Sequence, residues 1–207
     1  MMVVIGESLR MSYRRHMREE ALRATQTLIT EKGWNKVRFS DVAAMIGVSR
    51  PTLYKEFASK NELGDALVLR ETERFLTGIQ TILDTNTDSV PRAITEAVQY
   101  TLDEAVESPL LRAALTAPLD DLRGESSVLR LVATSTSMLE LATQRLISWF
   151  DEHLPNHDRA DIDHAVDVLI RLTVSHIVLP AADGNVHREN VETCRQISDV
   201  VLRFLRL

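Results

Sequence analysis

The run Ser40–Lys60, SDVAAMIGVSRPTLYKEFASK, constrains this chain more than any other stretch. Ser40 is suited to cap a helix, its hydroxyl oxygen accepting from first-turn amides, and Asp41 then sits where the positive helix end favours an anion. Val42, Ala43 and Ile46 fall on one face of that helix. Gly47 supplies the left-handed conformation that stops it, and apolar Val48 turns back inward. Ser49 can cap a second helix, in whose first turn Pro51 costs nothing because its missing N–H has no partner there. Leu53 and Phe57, four apart, face inward, which leaves Arg50, Thr52, Tyr54 and Lys55 outward. Two short helices joined by a tight glycine turn describe a helix-turn-helix, whose second helix enters the DNA major groove. Any small helical hairpin can carry the same spacing. The outward face is what favours nucleic acid: two cations, a hydroxyl and a phenol, with no acid before Glu56.

The same residues resemble the TetR family of transcriptional regulators. The matching runs are Phe39-Ser40-Asp41-Val42-Ala43-Ala44-Met45-Ile46-Gly47-Val48-Ser49, then Leu53-Tyr54-Lys55-Glu56-Phe57 and Ser59-Lys60-Asn61-Glu62-Leu63. The likeness covers roughly the first third of the chain. Ile46 stands where alanine is common, and Pro51 and Glu56 replace commoner residues of the second helix; these departures bear on which bases are read. The resemblance implies a larger C-terminal domain that holds a small molecule among its helices and dimerises through its last two long helices.

Charge is distributed to match. Residues 1–60 hold eleven Lys/Arg against six Asp/Glu, a net of +5, and the remainder carries −11, giving the overall −6. All four lysines (Lys32, Lys36, Lys55, Lys60) lie in the basic part. A basic end on an acidic remainder suits a protein that touches phosphates with one end only. The single cysteine, Cys194, cannot form an internal disulfide, which fits a reducing cytoplasm. No apolar run approaches the roughly 18–20 residues of a membrane span. Met1–Ile5 is apolar but lacks a basic start and reads as a mobile arm or an extra start before Met11.

Helical periodicity continues along the chain, helped by only seven glycines and six prolines in 207 residues. A first helix is expected over 12–32, capped by Ser12 and ended by Gly33, with Met17, Ala21, Ala24, Thr25, Leu28 and Ile29 as its apolar stripe. Trp34, Val37 and Phe39 plug the small core. Further helices are expected over 60–84, 91–107, a short piece from Pro109 to Leu115, 126–153, 160–179 and 187–206. The fold class is therefore all-α, about nine helices: a three-helix helix-turn-helix domain at 1–60 and a helical effector-binding and dimerisation domain at 61–207.

For DNA, phosphate contacts are expected from Ser40, Tyr54, Lys60 and the amides around Ser49, and base contacts from Arg50, Pro51, Thr52 and Lys55. Arg14, Arg15 and Arg18 either reach the phosphate backbone or form a solvated basic face. Effector contacts are expected from Tyr100, Leu111, Thr134, Ser135, Met138, Trp149 and Phe150, with Ser137 nearby; a plain core stripe is the simpler account of the same spacing. Val166, Ile170, Val174, Ile197 and Val201 suit a four-helix dimer seam, or else close the core of one copy. The partners are double-stranded DNA with a palindromic operator, an unknown and lipophilic small molecule, and a second copy, with no membrane and no cofactor. Enzyme readings do poorly: His153, His157 and His164 are irregularly spaced across a Pro-Asn turn, His176 sits on an apolar helix, and Cys194 has no second thiol to resolve it. The rival class is a helical small-molecule binding protein without specific DNA binding.

Overall fold

The computed structural model describes the backbone of residues 2–108, 110–112, 127–179 and 186–207, and the side chains within 11–108, 110–112, 138–179 and 190–207. Every regular element among these residues is helical. In chain order they are α1 (Met2–Lys32), a 3₁₀ turn (Trp34–Lys36), α2 (Phe39–Met45), α3 (Arg50–Glu56), α4 (Lys60–Thr85), α5 (Val90–Glu107), α6 (Ser127–His153), α7 (Arg159–Val178) and α8 (Val186–Leu205). Residues 110–112 are also helical; the rest of the short helix expected between 109 and 115 lies outside the described residues.

The chain divides into two compact units, 1–70 and 71–207, and α4 supplies residues to both. In the first unit α1 packs on α2, α3 and the 3₁₀ turn. Met17, Ala21, Ala24, Thr25 and Leu28 are buried at the expected spacing, as are Val37, Phe39, Val42, Ala43, Leu53, Phe57, Leu63 and Leu67. The expected start of α1 at Ser12 is corrected: the helix runs on to Met2. Residues 2–32 contain no proline and one glycine, so once a turn is formed nothing in the sequence stops its propagation.

The second unit is built on one apolar core. Here α5 packs on α8, α8 on α7, and α7 on both α6 and α5, while Phe75, Leu76, Ile79 and Leu83 of α4 join the same core. Its helices begin where short polar side chains cap them. The Ser89 hydroxyl accepts from the Arg92 amide, with proline in the first turn of α5, and the Asp158 carboxylate accepts from the Ala160 amide at the start of α7. Among the described residues no helix is long and apolar enough to cross a membrane.

Candidate nucleic-acid interface and an apolar cavity

The turn between α2 and α3 follows from its residues. Gly47 takes φ +70°, and the amides of Gly47 and Val48 return to the carbonyls of Ala44 and Ala43, which closes α2 with two otherwise orphaned acceptors satisfied. Ser49 caps α3 as expected: its Oγ accepts from the Thr52 amide at 3.2 Å and lies 2.7 Å from the Thr52 hydroxyl. The cap of α2 is different from expectation. Helix α2 starts at Phe39 with Arg38 in the capping position, and the amide of Arg38 donates to Asp41 Oδ2 at 3.2 Å. Ser40 is thus the second helical residue, its hydroxyl donating to Asp41 Oδ1 at 3.3 Å. Asp41 also receives Lys32 Nζ at 2.5 Å; that bond from Lys32 is the main cause that holds its carboxyl below the usual range.

On the outer side of α3, Arg50, Pro51 and Lys55 are exposed and Thr52 is half-buried. Tyr54 is 52% exposed, with its ring stacked 4.5 Å from that of Phe39, so its phenol is presented by a braced ring. The Thr52 hydroxyl is engaged by Ser49, which leaves its methyl group outward-capable for an apolar contact. Glu56, the acid of this helix, is covered: Arg14 of α1 donates to both its oxygens, at 2.8 and 3.3 Å, and its side chain is only 9% exposed. Arg18 stands over the Phe57 ring at 4.5 Å and reaches the Glu56 carbonyl. Two of the three clustered arginines therefore brace α1 against α3.

Lys60 is held more tightly than its expected phosphate role requires. Its Nζ donates to the carbonyls of Trp34 (2.7 Å) and Asn35 (3.5 Å) and stands 4.5 Å over the Trp34 ring. Burial pushes the ammonium pKa down. Its first task is to tie the start of α4 to the 3₁₀ turn.

The second unit contains an apolar cavity of about 50 Å³. Its walls come from four helices: Phe75 and Ile79 (α4), Ala97, Val98 and Thr101 (α5), Leu139, Ala142 and Leu146 (α6), and Leu169, Ile170, Thr173 and Val174 (α7). Both threonine hydroxyls donate to carbonyls of their own helices, Thr101 to Ala97 and Thr173 to Leu169, so they turn methyl groups to the cavity. None of the expected effector residues with described side chains lines it. Leu111, Met138, Trp149 and Phe150 are buried in the surrounding core, and Tyr100 stacks behind Phe75 at 5.8 Å. Thr134, Ser135 and Ser137 lie outside the residues whose side chains are described. The cavity forms where the small residues Ala97, Thr101, Ala142 and Thr173 converge on inward faces and van der Waals volume runs short.

The expected seam residues divide as well. Val166, Ile197 and Val201 are 0–2% exposed within this chain's own core, which leaves them no surface for a second copy, while Ile170 and Val174 line the cavity. The exposed apolar residues of the same two helix ends are Val178, Leu179, Val200, Phe204 and Leu207. The histidines are used locally: His153 Nδ1 contacts the Trp149 carbonyl, His157 Nε2 the Leu205 carbonyl, His176 Nδ1 the Leu172 carbonyl, and His164 meets the Phe204 ring edge-on. Among the described residues no three His, Cys, Asp or Glu side chains gather as metal ligands do. Cys194 is buried, and burial pushes its thiol pKa up.

A helix-turn-helix with a basic outer face, in a chain whose second unit is helical in every regular element among its described residues, defines a DNA-binding protein of the regulator class. Comparison with known proteins gives the family. Residues 21–67 match bacterial regulatory proteins of the tetR family, and residues 89–203 match the bacterial tetracyclin repressor C-terminal domain. The chain belongs to the TetR family of transcriptional regulators. It is 27% identical to the HTH-type transcriptional regulator AlkX of Mycobacterium tuberculosis over 172 residues, 82% of this chain and 79% of that protein. The crystal structure of the TetR family repressor AlkX from a Dietzia strain, implicated in biodegradation of n-alkanes, is 26% identical and covers 90% of this chain and 96% of that one at a TM-score of 0.61. A TetR-family structure from Mesorhizobium loti shares the fold at a TM-score of 0.71 and 16% identity, over 92% of this chain and 96% of that one.

Proposed function

We propose that this regulator is a repressor that binds a palindromic operator as a dimer in the bacterial cytoplasm and is released by a lipophilic effector. The observation that carries the effector class is the cavity wall, where both hydroxyls are spent on helix carbonyls and every other described side chain is hydrocarbon. Such a wall desolvates a sugar or nucleotide without repaying its hydrogen bonds, whereas it costs an alkyl chain nothing. At about 50 Å³ the cavity is roughly a third of the size, about 150 Å³, that holds a benzene. An effector of several carbons enters only by spreading α4, α5, α6 and α7. That requirement makes occupancy and helix movement one event, and the ligand shifts the equilibrium by its preference for the spread state. The repressor AlkX of Dietzia, implicated in n-alkane biodegradation, supports both the sign of regulation and the chemical class.

On the DNA side, Arg50 paired with guanine is the natural bidentate contact, Pro51 and the Thr52 methyl suit a thymine methyl, and Lys55, Tyr54 and the amides at Ser49 complete the face. The seam we assign to Val178, Val200 and Phe204, since apolar surface left exposed at the ends of α7 and α8 is what a second copy would cover. Two heads roughly 34–36 Å apart then read two half-sites. Gel shift against the DNA flanking its own gene, at two salt concentrations, tests the reading, with a specific, salt-sensitive complex expected. Arg50→Ala should cost about 1–3 kcal/mol on that site and little on scrambled DNA. A folded dimer that binds no duplex from a random library would refute the regulator reading in favour of a small-molecule binding protein.

A further inference from the structure

Helix α4 contains a glycine, Gly78, in its middle, where glycine weakens a helix by roughly 1 kcal/mol relative to alanine. The reason lies across the gap. The hydroxyl of Tyr100 on α5 is 2.2 Å from where a Cβ at position 78 would stand, and its ring carbon Cζ is 2.4 Å away. The tip of the tyrosine is seated directly on the α4 backbone. Four residues further along α5, the Glu104 carboxylate takes both terminal nitrogens of Arg74 on α4, one of them at 3.0 Å. Arg74 Nε in turn donates to the buried Glu71 at 3.3 Å. From the other side, Arg145 of α6 donates to the Leu76 carbonyl of α4 at 2.9 Å. Stacked on the tyrosine ring, nearly parallel at 12°, is Phe75, which also lines the cavity.

This arrangement fixes register. A screw of α4 by one residue, about 1.5 Å along and about 100° around its axis, brings the Cβ of Thr77 or Ile79 under the tyrosine tip, where there is no space for it. Helix α4 can therefore turn against α5 only after Tyr100 leaves its seat, and Phe75 is the ring stacked against it. We propose that Tyr100 seated on Gly78 is a latch that holds α4 in one register, and that a molecule entering the cavity opens it by displacing Phe75. The inference rests on the effector reading above and names the residues that transmit it: Phe75 senses, Tyr100 blocks, and the Arg74–Glu104 pair holds the closed register. Tyr100 is thus a positioning residue that contacts neither effector nor DNA.

The test is a double-mutant cycle on the full chain, read in two ways. Alanine is the better helix former, so a merely structural glycine predicts slower amide exchange across 71–85 in Gly78→Ala. The latch predicts faster exchange there, because the new methyl group unseats Tyr100, together with a change in operator affinity of at least about fivefold. Tyr100→Leu removes the three atoms nearest the new methyl group, the tyrosine Oη, Cζ and Cε1. In that background Gly78→Ala should slow exchange and leave operator affinity within about twofold of Tyr100→Leu alone. Ala142→Leu fills the cavity with the protein's own side chain and should reproduce the fast exchange of Gly78→Ala. Slower exchange and unchanged affinity in Gly78→Ala with Tyr100 present would overturn the latch, and a silent Ala142→Leu would overturn its link to the cavity. A wild-type chain that binds no DNA fails the regulator reading instead, and the exchange data still decide the latch.

Discussion

Lys60→Met separates an architectural lysine from a phosphate contact. Methionine keeps the length of the stem and removes the charge. In the folded protein the ammonium makes one good charged hydrogen bond, to the Trp34 carbonyl at 2.7 Å, a marginal one to Asn35 at 3.5 Å, and a cation–π contact at 4.5 Å. A hydrogen bond to a charged group contributes about 1.5–3 kcal/mol. A partly exposed cation–π contact adds about 0.5–1 kcal/mol, and desolvation, visible in the lowered lysine pKa, subtracts from the sum. The net expectation is a loss of about 2 kcal/mol, since the Trp34 carbonyl also loses its partner. Urea denaturation followed by tryptophan emission in a Trp149→Phe background measures it, because Trp34 then is the remaining tryptophan and lies against the substituted side chain. Lys60→Arg is the control, retaining charge and aromatic stacking. A Lys60→Met protein as stable as the wild type, with weakened binding to every DNA sequence, would refute the reasoning and return Lys60 to the phosphate backbone.

Two further outcomes follow from the same unit. Gly47→Ala should destabilise by about 1–2 kcal/mol from backbone strain alone, since φ is +70° and a Cβ there meets nothing within 4 Å; urea midpoints check it. Asp41→Asn should lower stability at neutral pH and lose that effect in acid. The folded-state pKa is depressed below the unfolded value of about 3.9, so the aspartate's contribution is full above that value and disappears as pH falls through the folded one. Stability curves for both proteins between pH 7 and pH 2 should therefore converge at the acid end.

Legibility in the sequence followed the range of the interaction. The α2–Gly47–α3 unit is local: caps, a left-handed glycine and four-residue apolar spacing lie within twenty residues, and they reappear in the structure with Ser49 and Gly47 in their expected roles. The start of α2 shifted to Phe39 because Asp41 can cap from inside the helix, which spacing alone does not reveal. Helix ends in the second unit were close for the same local reason. The cavity was not legible, nor was the burial of Val166, Ile197 and Val201 within one chain, because both depend on which inward faces oppose one another. Val166 and Ile170 share one apolar stripe in the sequence; one is fully enclosed and the other borders the cavity, and only the packing of four helices separates them. Gly78 carried no sequence signal beyond being a glycine in a helix, since its partner stands twenty-two residues away on another helix.

Glu56 shows how such a distant pairing alters a functional face. An acid at the end of a recognition helix repels phosphates, and by sequence it counts against affinity. In the folded chain Arg14 covers both carboxylate oxygens, so the face that remains presents Arg50 and Lys55 without an opposing charge. Arg14→Ala should therefore weaken DNA binding twice over, by losing a cation and by uncovering an anion. Arg14→Ala/Glu56→Gln restores the second part only. The deficit of the single variant should exceed that of the double at low salt and shrink towards it as the Debye length falls to about 8 Å near physiological ionic strength. Anisotropy titrations of one operator duplex at three salt concentrations give both numbers. Equal affinities for the single and double variants at low salt would mean that Glu56 lies outside the field of the phosphates, and that Arg14 serves only to hold α1 on α3.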